Sequence, residues 1–259
     1  MRALTTAATA LLVCATAAAA QDVAGHIAAG EAARCRRNAP EAVQSFRAAL
    51  AIDSLNYDAN WRGAQALVDV GLGLPDQERA RRDSLYAQAR ALAERAVRVN
   101  PNGADGHYMV AVAVGRVALT KGPRERVRYA RIVRDEALRA SELNPMHPGA
   151  AHVLGRWNAE IQRLPGITKF FARTFLGASV FSEATWENAE QYLTQAINIE
   201  PQNIYHHLDL AEALVDMDRP QDARPHLERV AQLPLGCDPQ DQTYKQEAAA
   251  LLQRIVSRR

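Results

Sequence analysis

The sequence predicts an all-α protein, a right-handed α-solenoid of about five stacked helix pairs with an inserted helical segment in the fourth pair and a C-terminal capping helix. Three observations predict it. The chain is 48% hydrophobic but only 6% aromatic, a balance that suits closely packed helices better than a β-sandwich. One spacing of small and large apolar residues recurs along the chain. A proline commonly follows each recurrence and stops the helix there.

The recurring spacing is a small residue, a large apolar one four later, a small one three later, and a proline five later. Ala189, Leu193, Ala196 and Pro201 fit it well, while Ala89, Ala93, Ala96 and Pro101 fit it loosely. Ala42, Phe46 and Ala49 match with Ser54 in the proline place. Val133, Ala137, Ala140 and Pro145 follow, and Ala223, Leu227, Val230 and Pro234 match with one residue deleted. Positions i, i+4 and i+7 share a helix face, and small residues there admit a neighbouring helix closely. Upstream, Ala64 and Leu67, Gly155 and Asn158, and Ala211 and Leu214 stand where a tetratricopeptide repeat expects a small and then a larger residue. Helix-turn-helix units of about 34 residues follow. They start near Val23, Tyr57, Ala104, Pro148 and Ile204. The second is stretched by Leu72 to Ser84, the third around Thr120 to Arg126, and the fourth by Leu164 to Ala184. Gln240 to Val256 reads as the amphipathic cap.

Residues 1–20 read as a cleaved secretory leader: a positive start at Arg2, small and apolar residues from Ala8 to Ala20, and Ala18-Ala19-Ala20 as the cleavage site. The run is too short to span a membrane. Val13 before Cys14 fits a lipoprotein signal poorly. Export to a periplasmic or secreted location is expected, with residues 21–259 forming a single repeat domain. Cleavage leaves Cys35 and Cys237 near opposite ends of the chain. An elongated fold keeps them too far apart to bridge, so unpaired thiols are expected, with an intermolecular bond as the variant in an oxidising compartment.

DGHYMVAVAVGRVALTKG (105–122), HVLGRWNAEI (152–161), FFARTFLG (170–177), TWENAEQYLTQAINIEPQNIYHHLDLAEAL (185–214) and YKQEAAALL (244–252) resemble the regulator of microtubule dynamics family and its bacterial relatives. The resemblance runs from about 57 to 256 and includes the extra segment of the fourth unit. It implies a helical-repeat adaptor. The animal members are associated with microtubules and organelle contacts, which an exported bacterial protein does not meet. The fold is expected to transfer and the animal partner is not.

No catalytic constellation stands out. HExxH, Cys-x-x-Cys, GxSxG and the phosphate-loop lysine are missing, and Gly71-Leu-Gly73 lacks the third glycine of a dinucleotide loop. His206 and His207 are adjacent and diverge on a helix, while His147 and His152 straddle a proline, so neither pair suits a metal. The expectation is a non-enzyme with no cofactor and no metal. Net charge is only +2, which implies no nucleic-acid partner. Residues 21–140 carry 19 basic and 14 acidic side chains (+5) and residues 141–259 carry 11 and 15 (−4), opposite fields along one molecule.

Function is expected in the concave groove, lined by the first helix of each unit. The fifth position of successive units reads Ile27, Trp61, Tyr108, His152 and Leu208; the ninth reads Glu31, Gln65, Val112, Arg156 and Glu212; Tyr205 takes the second position of the last. Trp61, Gln65, Tyr108, His152, Arg156 and Tyr205 are therefore the candidate contacts for a protein or peptide. Rings supply area at low entropic cost and an arginine can fork onto a carboxylate. Four of the five phenylalanines, Phe170, Phe171, Phe175 and Phe181, fall in the insertion. They form a candidate docking face, for peripheral membrane contact or as the pocket wall of an apolar-ligand or lipid carrier. Arg124, Arg128, Arg131 and Arg134 form a basic stripe at near-helical spacing.

Overall fold

The computed structural model describes residues 20–118, 120–166 and 179–257. Within them the chain forms eleven α-helices and no strand. They are α1 (20–35), α2 (Ala39–Ile52), α3 (Tyr57–Leu72), α4 (Arg79–Val99), α5 (Ala104–Ala118), α6 (Pro123–Leu143), α7 (Pro148–Arg163), α8 (Trp186–Ile199), α9 (Ile204–Asp216), α10 (Pro220–Gln232) and α11 (Asp241–Ser257). Each helix from α2 to α11 packs on the next, and α3, α5, α7 and α9 also touch in series. That is the stacking of an α-solenoid.

The repeated spacing marks the core. Ala42, Phe46 and Ala49 of α2, Ala89, Ala93 and Ala96 of α4, and Ala189, Leu193 and Ala196 of α8 are all fully buried, as are Ala137 and Ala140 of α6. Ala223, Leu227 and Val230 repeat it in α10. Close approach makes glycine necessary at Gly155: a Cβ there would lie 2.5 Å from Leu193 Cγ and 3.0 Å from the Leu193 amide.

The turns repeat as well. Asn56 N–H donates to Asp53 O, Gly103 to Asn100 O, His147 to Asn144 O and Asn203 to Glu200 O, at 3.0–3.2 Å. The carbonyl one residue into each turn finds a side-chain donor. Asn60 donates to Ser54 O at 3.0 Å, and ring nitrogens of His107 and His207 lie 2.9 and 3.1 Å from Pro101 O and Pro201 O. Ala151 holds that place in α7, and Gln195 of α8 reaches Pro145 O instead, at 3.2 Å. Asn56 and Asn203 accept from the first-turn amides of α3 and α9, as N-caps do. Arg37 and Asp218, at the fifteenth position of the first and last units, both adopt positive φ in the short turns α1–α2 and α9–α10.

Helices begin at Tyr57, Ala104, Pro148 and Ile204, where the repeat spacing expects them. The extra length of the second and third units goes mainly into α4 and α6, 21 residues each, rather than into long loops. The charged run from Asp76 is a 3-10 turn running into α4. α11 caps the stack through Tyr244, Ala248, Leu251 and Ile255. No helix among the described residues is long and apolar enough to cross a membrane.

One expectation is overturned. Cys35 and Cys237 form an intramolecular disulfide, with Cα atoms 3.9 Å apart across 202 residues of sequence. The physical reason is superhelical curvature: each unit rotates on its neighbour, so the end of α1 comes round to the α10–α11 loop. The solenoid is curled, not extended.

Candidate ligand-binding groove

Curling turns the concave face into a cavity of about 1460 Å³. α1, α3, α5 and α7 line it, joined by one face of α6, by Phe181, by residues 199–206 leading into α9 and by residues 236–244. Trp61, Gln65, Tyr108, His152, Arg156 and Tyr205 all stand on its wall. Leu208 is buried beneath the cap, so the lining ends at the first turn of α9.

The six differ in how free they are. Trp61 is 9% exposed and donates its ring N–H to Asp58 at 3.0 Å, with the Arg62 guanidinium 4.2 Å above the ring. Tyr108 rests against Gly149 and lies 4.8 Å from the His147 ring, and burial pushes its hydroxyl far above the ordinary range. Gln65 is half-buried. His152, Arg156 and Tyr205 belong to a buried polar cluster. His152 Nδ1 lies 2.8 Å from His206 Nδ1, its Nε2 lies 2.9 Å from Asp209 Oδ2, and Arg156 Nη1 lies 3.2 Å from that same oxygen.

Electrostatics fixes the protonation of this cluster. Burial drives His152 down to about 4, so it is neutral near pH 7. Burial alone would raise Asp209, but Arg156 and His152 hold it below the usual carboxylate range. Asp209 in turn raises Arg156 further. Arg156 donates to the Tyr205 hydroxyl, and burial lifts that phenol to about 12. Tyr205 also stacks on Tyr244 of the cap, with ring centroids 4.2 Å apart and planes 6° apart. Arg156 is thus tied to Asp209, and the cluster pins α7, α9 and α11 together.

The sequence did not point to several further wall residues. Arg34 pairs with buried Asp69 at 2.8 Å; burial, opposed by Arg34, raises that carboxyl to about 6. Asp238, Asp241 and Tyr244 enter from the far end of the chain. The periodic signal that finds groove positions on inner helices is silent about a loop that arrives from the opposite end of the sequence. At the other end Val127, Val133, Trp157, Ile161, Leu164 and Phe181 form an apolar recess.

Of the insertion, Phe181 is buried, edge-on to Trp157 with centroids 6.3 Å apart. Phe170, Phe171 and Phe175 lie outside the described residues. In the basic stripe Arg134 bridges to Glu183 at 2.7 Å and Arg128 lies over the Tyr129 ring. His152 pairs with His206 and His207 with His226 across helices, and among the described residues no group of three or more His, Cys, Asp or Glu side chains is arranged to hold a metal ion.

Stacked helix pairs around a concave wall define a tetratricopeptide-repeat solenoid. A crystal structure of a thermophilic TPR protein in Thermus thermophilus has the same fold, with a TM-score of 0.65 over 89% of this chain and 99% of that one at 18% identity. Within that class, the family described as Regulator of microtubule dynamics protein 1-3 matches residues 27–256, and the chain belongs to it. Regulator of microtubule dynamics protein 1 of Bos taurus is 26% identical over 153 residues, 59% of this chain and 47% of that protein. The Homo sapiens protein is 26% identical over 145 residues, 56% of this chain and 45% of its own length. The chain spans about half the length of the curated relatives it matches.

Proposed function

We propose that this chain is an exported, non-enzymatic binding module that holds a segment of a partner protein in its concave groove. The observation that carries this reading is the cavity of about 1460 Å³, walled by rings and half-buried polar side chains from successive inner helices. Trp61, Tyr108 and Tyr205 offer rigid apolar area, while Gln65 is free to bond a peptide backbone. Arg156 serves by positioning Tyr205 rather than by forking onto the ligand. The leader-like first 20 residues support export, and an intramolecular disulfide accords with an oxidising compartment. The microtubule partner named for the animal relatives is not carried over.

The test fills the groove without disturbing its supports. Val112 is half-buried on the wall and faces the cavity between Tyr108 and Arg116. Val112→Arg and Gln65→Arg should abolish capture of crosslinked partners from the native envelope fraction while leaving the melting temperature within a few degrees. Undiminished capture by both variants would sink the proposal.

A second reading rests on the recess of Val127, Val133, Trp157, Ile161, Leu164 and Phe181, which suits an apolar ligand or lipid. Native mass spectrometry separates the two. A co-purifying apolar ligand, lost on Val133→Asp, favours the carrier; a clean apo mass favours the peptide groove.

A further inference from the structure

The loop 233–240 runs from α10 to α11 and bridges the two ends of the solenoid. Its root is firm. Leu233 is buried, Gly236 N–H donates to Asp241 Oδ2 at 2.6 Å, and Asp241 itself is 5% exposed. Its hold on α1 is different. Besides the disulfide there is a 3.4 Å bond from Arg37 to Gly236 O at the surface, and the attraction between Arg34 and Asp238. Gly236, Cys237, Asp238 and Asp241 all stand on the cavity wall, opposite Glu31 and Arg34 of α1. The disulfide is the one covalent tie across the mouth of the groove among the described residues, beside these two polar contacts and the approach of the Gln240 side chain to Gly73 at the end of α3. Cys35 and Cys237 are both exposed, so an attacking thiolate can reach either sulfur.

We propose that the Cys35–Cys237 bond is a redox-addressable latch that sets the width of the groove, closed when oxidised and free to open when reduced by a dithiol. The proposal rests on the groove being the ligand site only for its consequence, not for its chemistry. One thiolate of the dithiol attacks a cystine sulfur, the S–S bond breaks, and a mixed disulfide forms as the other cysteine leaves as thiolate. The second thiol of the reductant then displaces the first cysteine. Two electrons pass from dithiol to cystine, two protons end on Cys35 and Cys237, and the reductant becomes its own disulfide. With the bond gone, the contacts left between α1 and the strap among the described residues are the surface bond from Arg37 to Gly236 O and the half-buried attraction between Arg34 and Asp238, and the ends part. The body persists because each helix pair is packed on its own neighbours.

The experiment compares oxidised protein, protein reduced with dithiothreitol, and the doubly substituted Cys35→Ser, Cys237→Ser chain. Far-UV circular dichroism reports the helical body. Hydrogen exchange by mass spectrometry reports residues 234–241, and acrylamide quenching, with Trp186→Phe introduced throughout to remove the third tryptophan, reports Trp61 and Trp157 on the cavity wall. The expected result is unchanged helicity, at least tenfold faster exchange in 234–241, and at least twofold stronger quenching in both the reduced and the substituted protein. Equal exchange and quenching in all three would overturn the latch. So would loss of helicity on reduction, since the bond would then be a staple of the whole fold. If the ends part but partner capture is the same in both redox states, the latch stands and the groove reading of function falls.

Discussion

Replacing Gly155 by alanine tests the packing logic directly, with Gly25→Ala as its control. Both glycines sit inside helices, so alanine gains up to about 1 kcal/mol of helix propensity at either place. Their surroundings are opposite. A Cβ on Gly25 meets nothing within 4 Å. A Cβ on Gly155 would lie 2.5 Å from Leu193 Cγ and 3.0 Å from both Leu193 Cδ2 and the Leu193 backbone nitrogen. Leu193 is fully buried and cannot swing away, so α8 itself must move by several tenths of an ångström. Overpacking of that kind costs about 1–3 kcal/mol, more than the propensity gain. Gly25→Ala should raise the unfolding free energy by about 0.5–1 kcal/mol and Gly155→Ala should lower it by about 1–2 kcal/mol. Urea titration followed by circular dichroism reads both. A Gly155→Ala protein as stable as the parent would refute the claim that α7 and α8 are in contact through a missing side chain.

Two further outcomes concern buried polar groups. His152 has a folded value of about 4 against an ordinary 6.5, so its contribution is fully present above pH 6.5 and is lost as pH falls towards 4. The stability difference between the parent and His152→Gln should therefore shrink by about 3 kcal/mol from pH 7 to pH 4, and a pH-independent difference would contradict the assignment. Comparison by difference is needed because Asp69, raised to about 6, acts in the opposite sense: the folded state holds its proton below pH 6 and gains stability as the medium acidifies. Asn60 is fully buried and donates to Ser54 O and Asn56 O at 3.0 and 2.7 Å. Asn60→Ala should cost about 1–3 kcal/mol in the same titration, and a neutral result would mean the turn carbonyl is satisfied by water.

Much of the fold was legible because each repeat states its own structure locally. Ala189, Leu193 and Ala196 bury themselves by helical periodicity alone, and the prolines at 101, 145 and 201 mark the turns wherever the unit sits in the stack. The same periodicity puts Trp61, Tyr108 and His152 on the inner wall. It does not say how tightly each is held. Trp61 is tied to Asp58, and Arg156 reads as free until Asp209, 53 residues away, is seen beside it. Pairing of that kind depends on one helix facing another, and neither helix's own spacing records it.

The amino-acid order alone determined helix pairs, their boundaries, the cap and the inner face, since all follow from contacts a few residues apart. Tertiary structure alone decided that the stack closes on itself. Small rotations between successive units accumulate over the length of the solenoid, and no single unit reveals their sum. Only that sum brings Cys35 beside Cys237 and makes a cavity of a groove.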